Sequence, residues 1–253
     1  MSKTLLVAGC WWLVVGAVCA QDARQIVAES QKRGLSRSQQ YEGTLEVIGS
    51  GNKISLKRWV YERIGSYGSS KAILRFTAPA EVKGVALLII NHEDRASDQW
   101  MWTPALERDR RIALQDRSAR FFGTDFSFED LEERDVDQFD YKLLGEEMYE
   151  ETPCWKLESR PKQKKASQYT VSQLWIRKEN YVILRIDHYK KDKLTRRINY
   201  NDIEKIQEIW TPKTLEVDDI GRKSHTVLRV DNLRYNTQVQ DSEFTIEALR
   251  HAR

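Results

Sequence analysis

Along most of the chain apolar residues alternate with polar ones in short runs, the period of a strand with one buried face. Tyr41 to Ile48 sets Tyr41, Gly43, Leu45 and Val47 against Glu42, Thr44 and Glu46. Gly49-Ser50-Gly51-Asn52 reads as a turn, and the alternation resumes from Lys53 to Ile64, with Ile54, Leu56 and Val60 on one face and Trp59 and Tyr61 on the other. The two runs predict a hairpin. Tyr141 to Leu144, Thr152 to Glu158, Tyr169 to Ile176, Tyr181 to Tyr189, Arg196 to Ile209, Thr214 to Asp218 and His225 to Tyr235 are further strand-length runs. So many short strands, separated by polar turns, predict a sandwich, a barrel or a half-barrel. Helical patterning is confined to the two ends: Asp22 to Arg33, stopped by Gly34, and Asp241 to Leu249, with Asp241 or Ser242 as cap.

The stretch from Lys71 to Glu133 is the densest, and the rest of the chain is built around it. Ala72 to Phe76 reads as a strand that Pro79 ends, having no N–H to offer a ladder. Val85 to Ile90 is apolar throughout, which predicts a strand covered on both faces. In Gln99-Trp100-Met101-Trp102 the period of two points both indoles to one side and Met101 to the other, and Asp109 to Leu114 predicts one more short strand. The periodicity then stops. Phe121, Phe122, Phe126 and Phe128 crowd around Gly123 in a segment that reads as an aromatic loop or short helix, a flap over the sheet. Such aromatics either fill a core or line a pocket; the pattern leaves both open, core filling being the commoner case.

The N-terminus changes the picture of where this chain works. Lys3, the apolar run Leu5 to Val18 and the small residues of Val18-Cys19-Ala20 predict a secretory signal over residues 1–20, cleaved after Ala20. That leaves residues 21–253 as a single domain outside the cytoplasm. Val7-Ala8-Gly9-Cys10 resembles a lipid-attachment box, but it lies within the apolar run with Trp11 to Val18 still to follow, so a lipid anchor on Cys10 is disfavoured. Cleavage removes two of the three cysteines, and Cys154 alone cannot make an internal disulfide. Charge is abundant and balanced, 41 Lys and Arg against 38 Asp and Glu, which argues against a nucleic-acid partner. No later apolar run reaches the length of a membrane-spanning helix, so membrane contact is expected to be peripheral.

Candidate chemistry is sparse. His92, His188, His225 and His251 stand singly, no cluster has metal-ligand spacing, and Gly84 and Gly123 are isolated, so neither a metal nor another cofactor is expected. Cys154 beside Trp155 reads as a buried inert thiol. Asp125, Glu129 and Asp130 read as capping the turn into a helix rather than as paired catalytic carboxylates. No enzyme is predicted. Two basic tips, Lys162, Lys164 and Lys165 in one and Lys190, Lys191, Arg196 and Arg197 in the other, read either as solvated hairpin ends that protect sheet edges or as a rim that meets anionic head groups or a partner.

Leu74-Arg75-Phe76, Pro79-Ala80, Lys83-Gly84, Leu87-Leu88, Trp100 to Leu106, Arg111-Ile112 and Phe122 to Leu131 together resemble the outer-membrane lipoprotein-sorting protein family, periplasmic relatives of the LolA carrier. The resemblance continues through Pro153 to Glu158, Arg160-Pro161-Lys162, Leu174-Trp175-Ile176, Trp210-Thr211-Pro212, His225-Thr226 and Phe244-Thr245. Lys190 to Leu194 departs from it where the family has an Asp and Gly turn. The resemblance implies a mainly β fold, one strongly curved antiparallel sheet forming an open half-barrel with a few helices over its concave mouth. It implies a periplasmic, non-enzymatic carrier whose apolar cavity takes the acyl chains of a lipid or lipoprotein on the way to the outer membrane. Leu74, Phe76, Trp100 and Trp102 are the candidate cavity wall; Phe121, Phe122, Phe126 and Phe128 are the candidate flap. Two other readings stand beside it: a docking partner of an inner-membrane lipid exporter of the RND type, and a plain sandwich with a sealed core.

Overall fold

The computed structural model describes residues 22–163 and 166–250. The expected signal and Cys10 lie outside the described residues, as do Lys164, Lys165 and His251. Asp22 caps helix α1 (Ala23–Arg33) by accepting the Arg24 N–H, and Gly34 closes it. Thirteen strands follow: β1 (Ser38–Ile48), β2 (Ile54–Ile64), β3 (Lys71–Ala78), β4 (Ala86–Ile90), β5 (Asp98–Thr103), β6 (Arg108–Arg111), β7 (Phe139–Tyr149), β8 (Thr152–Pro161), β9 (Val171–Arg177), β10 (Ile183–Lys190), β11 (Lys193–Ile206), β12 (Ile209–Asp219) and β13 (Ser224–Tyr235). Helix α2 (Ile246–Arg250) ends the described chain.

All thirteen strands form one antiparallel sheet in the order β6-β5-β4-β3-β2-β1-β13-β12-β11-β10-β9-β8-β7. The sheet is open, an unclosed half-barrel whose edge strands are β6 and β7. The expected runs recur with shifted ends, and two are redivided. Arg196 to Ile209 is not one strand: the chain turns at Gln207 and Glu208, both with positive φ, and β12 begins there. Pro212 accordingly lies within a central strand, opposite Ile203, where a proline is uncommon. Of Asp109 to Leu114 only Asp109, Arg110 and Arg111 are strand, the last three residues of β6.

Cross-strand register decides which residues share a face. Trp59 opposes Phe76, Tyr61 opposes Leu74, Leu74 opposes Leu87, and Leu87 opposes Met101. The same face continues through Leu45, Leu228 and Leu215, then Ile198, Ile186, Leu174 and Leu157. We call this the inner face. One half of it, centred on β8 to β10, is covered by Ala23, Ile26 and Val27 of α1. The other half packs against a long irregular segment, residues 112–138. Helix α2 lies on the opposite, outer face, where Phe244 and Leu249 pack on Ala86 and Leu88. The expected cover of helices over the mouth is not what the sheet carries as a whole: α1 packs on one half of the inner face, an irregular flap on the other, and α2 on neither.

Candidate functional site

The position of the flap follows from strand order. Its neighbours in sequence, β6 and β7, are the two edges of the sheet, so the connection must run from one edge to the other. It crosses the inner face, burying Ile112, Phe121, Phe126 and Phe128. Phe121 stacks on Phe76 with ring centroids 5.2 Å apart, Phe126 lies 6.2 Å from Trp59, and Phe122 meets Phe76 edge-on at 5.8 Å. Each phenylalanine buried in this way contributes roughly 1.5–3 kcal/mol. Phe122 and Gly123 carry φ of 45° and 77°, both left-handed, and a bulky residue there costs about 1–2 kcal/mol. The aromatic packing offsets that strain.

Within the flap, Arg120 bridges to Ser127 as an isolated pair and no strand forms. Ser127 and Asp130 exchange hydrogen bonds as in a capping box, but no helix follows, so the expected dipole-capping role of Asp125, Glu129 and Asp130 is not what these carboxylates do. They fasten the flap. The buried Asp125 carboxylate accepts from Ser224 Oγ at 2.5 Å and Thr226 Oγ1 at 2.7 Å, both on β13, and pairs with Arg120 at 2.6 Å. Asp130 binds Arg196 of β11 and accepts from Tyr169 Oη at 2.7 Å. Burial alone would raise the Asp130 pKa, but the Arg196 guanidinium, with His188, Ser127 and Tyr169, holds the carboxyl below its ordinary value. Glu132 pairs with Arg117 at 2.7 Å and accepts from Gln99 of β5 at 2.9 Å. Glu133 lies 3.3 Å from Arg63 of β2; burial outweighs that charge and pushes its carboxyl up. Between Ala113 and Asp137 the flap is therefore tied to the sheet through side chains, while only its ends, Ile112 and Gln138, make backbone bonds that extend the ladders.

The sequence-predicted residues divide between the two faces. Leu74 and Phe76 line the inner wall and meet Phe121, Phe122, Phe126 and Phe128 there. Trp100 and Trp102 do share one side, as expected, but it is the outer one: they oppose Leu88 and Ala86 and pack near α2. A wall containing all four residues is thus not formed. The step from Met101 to its neighbours is the reason, since Met101 takes the inner position. Among the basic candidates, Arg196 is buried on Asp130, and Arg197 is bound to Asp187 at 2.9 Å, so neither is a free rim charge. Lys190 and Lys191 are exposed at the β10–β11 tip, and Lys162 is exposed and donates to the Asp137 carbonyl.

Sequence reasoning missed Trp59, Tyr41 and Tyr61 as wall residues, although the parity of the first hairpin already placed them opposite Ile54 and Leu56. It also missed Arg63, whose place in the same alternating series marks a charge facing the core. Cys154 is buried, and burial pushes its thiol up. His188 is buried against Tyr169, with ring centroids 4.1 Å apart, and bonds Ser172 at 2.8 Å. Among the described residues no group of three or more His, Cys, Asp and Glu could hold a metal ion. A surface pocket of about 580 Å³ is lined by charged groups including Glu93, Asp94, Asp137 and Lys162, unlike the apolar inner face.

Known proteins resemble this chain in fold and, in one case, closely enough in sequence to define kinship. No curated protein matches the sequence. A family model described as that of an uncharacterized protein matches residues 68–251. A crystal structure of a DUF1329 family protein from Desulfovibrio piger is 30% identical, with a TM-score of 0.86 over 90% of this chain and 97% of that one. A putative outer membrane lipoprotein-sorting protein domain from Vibrio parahaemolyticus is 24% identical, with a TM-score of 0.86 over 90% of this chain and 98% of that one. A LolA superfamily protein from Nitrosomonas europaea is 19% identical, with a TM-score of 0.72 over 89% of this chain and 98% of that one. The resemblance read from the residues holds at the level of the fold, which this chain shares with the lipoprotein-sorting domain and the LolA superfamily protein, and the chain belongs to the family of the uncharacterized and DUF1329 proteins.

Proposed function

We propose that the protein is a periplasmic, non-enzymatic carrier that receives the acyl chains of a lipid or lipoprotein on the inner face of its sheet and takes part in transport toward the outer membrane. One observation carries the reading: a continuous apolar wall is occupied by a phenylalanine flap fastened through side chains rather than by strand pairing. A flap held in this way can leave without dismantling the sheet. The wall it vacates, including Phe76, Trp59, Leu74 and Leu228, then accepts methylene groups at about 0.8 kcal/mol each. In this reading the phenylalanines stand in for cargo when the carrier is empty. The fold shared with the lipoprotein-sorting domain supports it as analogy. The exporter-docking reading loses part of its footing, because Arg196 and Arg197 are engaged by Asp130 and Asp187.

The test is native mass spectrometry of the purified protein with extraction of bound lipid, followed by uptake of added fatty acid. Leu74→Ser alters the inner face and Trp102→Ser the outer one, each used only if circular dichroism shows a folded sheet. Acylated species carried by the wild type and by Trp102→Ser, and lost from Leu74→Ser, are the expected result. A wild type that is empty and refuses added fatty acid, even when its flap is loosened by Asp130→Asn, overturns the carrier.

A further inference from the structure

The turns of an antiparallel sheet alternate between its two ends, and two neighbouring turns at one end share an unusual surface. Residues 49–53 join β1 to β2, and residues 220–223 join β12 to β13; the strands between them pair directly, Ile48 lying opposite His225. Between the two tips is a pocket of about 400 Å³ whose lining includes Lys53, Arg120 and Arg222 with the hydroxyls of Ser50, Ser55 and Ser224. Among the described residues no carboxylate lines it. Arg120 is partly offset by Asp125, and Arg222 has Asp219 at 3.6 Å, whereas Lys53 is exposed and adds its whole charge. The next tip along the same end adds the exposed Lys190 and Lys191.

At the same end of the sheet large apolar side chains stand in water, Ile54 and Leu56 on the outer face of β2 and Ile220 in the β12–β13 turn. Ile54 is 58% exposed, Leu56 61% and Ile220 38%. Exposed aliphatic groups at turn tips, flanked by lysine and arginine, match the two layers of a bilayer surface: anionic head groups outside and acyl chains beneath. A solvated hairpin end would account for the lysines and would leave the isoleucines without a reason. The tip of the flap reaches the same place, since Gly123 lines the pocket and Ser224, another lining residue, holds Asp125.

We propose that this end of the sheet is a docking rim for an anionic bilayer, with Lys53 and Arg222 meeting lipid phosphates and Ile54 and Ile220 entering the acyl boundary. Docking there sets the flap tip against the membrane, where a chain leaving or joining the bilayer is nearest the inner wall. The inference deepens the carrier reading and rests on it for its purpose. Its test uses no cargo, so either can fail alone.

The experiment is flotation of the purified protein with vesicles of phosphatidylcholine alone and of phosphatidylcholine with phosphatidylglycerol, at low and high salt. The expected result is binding to the anionic vesicles only, weakened by salt. Lys53→Glu combined with Arg222→Gln lowers that binding on the order of a hundredfold, three units of charge at about fivefold each. Ile54→Ser combined with Ile220→Ser lowers it at least roughly tenfold. Lys205→Glu, at the other end of the sheet, leaves it unchanged. All these positions are exposed and circular dichroism verifies the fold. Equal binding to neutral vesicles, no binding, full retention by the rim variants, or an equal loss with Lys205→Glu overturns the proposal. So does displacement by inorganic phosphate beyond the effect of matched ionic strength, which would make the pocket a site for free phosphate.

Discussion

Gly43 lies beneath the Trp59 indole, and a Cβ built there would overlap the ring, with Leu228 Cδ1 also only 2.9 Å away. The wall therefore depends on one missing methyl group. Gly43→Ala forces Trp59 from its place between Phe76 and Phe126 and is expected to cost about 1–3 kcal/mol, the usual penalty of overpacking. Urea unfolding measures it, and a change within error would mean that the indole has room to move. His188 bears on pH. Burial, helped by Arg134 and Arg196 and opposed by Asp130 and Asp187, lowers its pKa to about 3. The unfolded imidazole titrates near 6.5, so the unfolded chain takes the proton first. Stability is whole above about pH 6.5 and falls as pH drops toward 3, by roughly 2 kcal/mol between pH 7 and 5. Glu133 works the other way, since its raised folded pKa favours the protonated native state on acidification. His188→Gln is expected to flatten the pH dependence of the urea midpoint, and an unaltered slope would assign the dependence to other groups.

The strands were readable because their alternation is strong: the parity of Tyr41 to Val47 and of Trp59 to Tyr61 is the parity observed. The flap was readable only as a cluster of phenylalanines. Its path across the inner face is a consequence of β6 and β7 being opposite edges, and strand order is a long-range property that no local period carries. For the same reason Trp100 and Trp102 were assigned to one side correctly but to the wrong wall: a period of two fixes who shares a face and leaves open which face that is. The charges of the flap were the least legible. Asp130 and Arg196 are 66 residues apart, and each looks like surface until they are brought together. Asp130→Asn leaves Arg196 buried and poorly compensated, with Asp219 at 3.6 Å as its remaining carboxylate, and is expected to cost about 3–5 kcal/mol, or roughly 10 °C in Tm. The exposed pair Lys71 and Asp241 serves as contrast, with Asp241→Asn costing at most about 1 kcal/mol. Amide exchange locates the loss: faster exchange confined to residues 117–138 marks a flap that opens by itself, whereas uniform loss across the sheet would make it a fixed part of the core.

One sheet with two unpaired edges has to protect an apolar inner face larger than its helices can cover. Helix α1 seals the half under β8 to β10, and the flap seals the rest with its own aromatic rings. The two covers differ in kind. Helix α1 satisfies its backbone by a regular internal ladder, whereas the flap adds to its internal turns bonds to the sheet such as Thr226 Oγ1 to Asp125 and Gln99 Nε2 to the Phe128 carbonyl, which water can replace once the segment lifts. Opening therefore exposes polar groups that water satisfies and an apolar wall that only a chain of methylenes satisfies. Cargo and flap compete for one surface, and that competition has a signature distinct from filling a preformed pocket. Saturation with a long-chain fatty acid is expected to slow amide exchange in β1 to β3 and β13 while speeding it in residues 117–138, because the bound chain stabilises the sheet and keeps the flap away. Protection rising in both segments would mean that the flap closes over its cargo as a lid. No change in either would mean that the phenylalanines are permanent core and that the inner face is never exchanged.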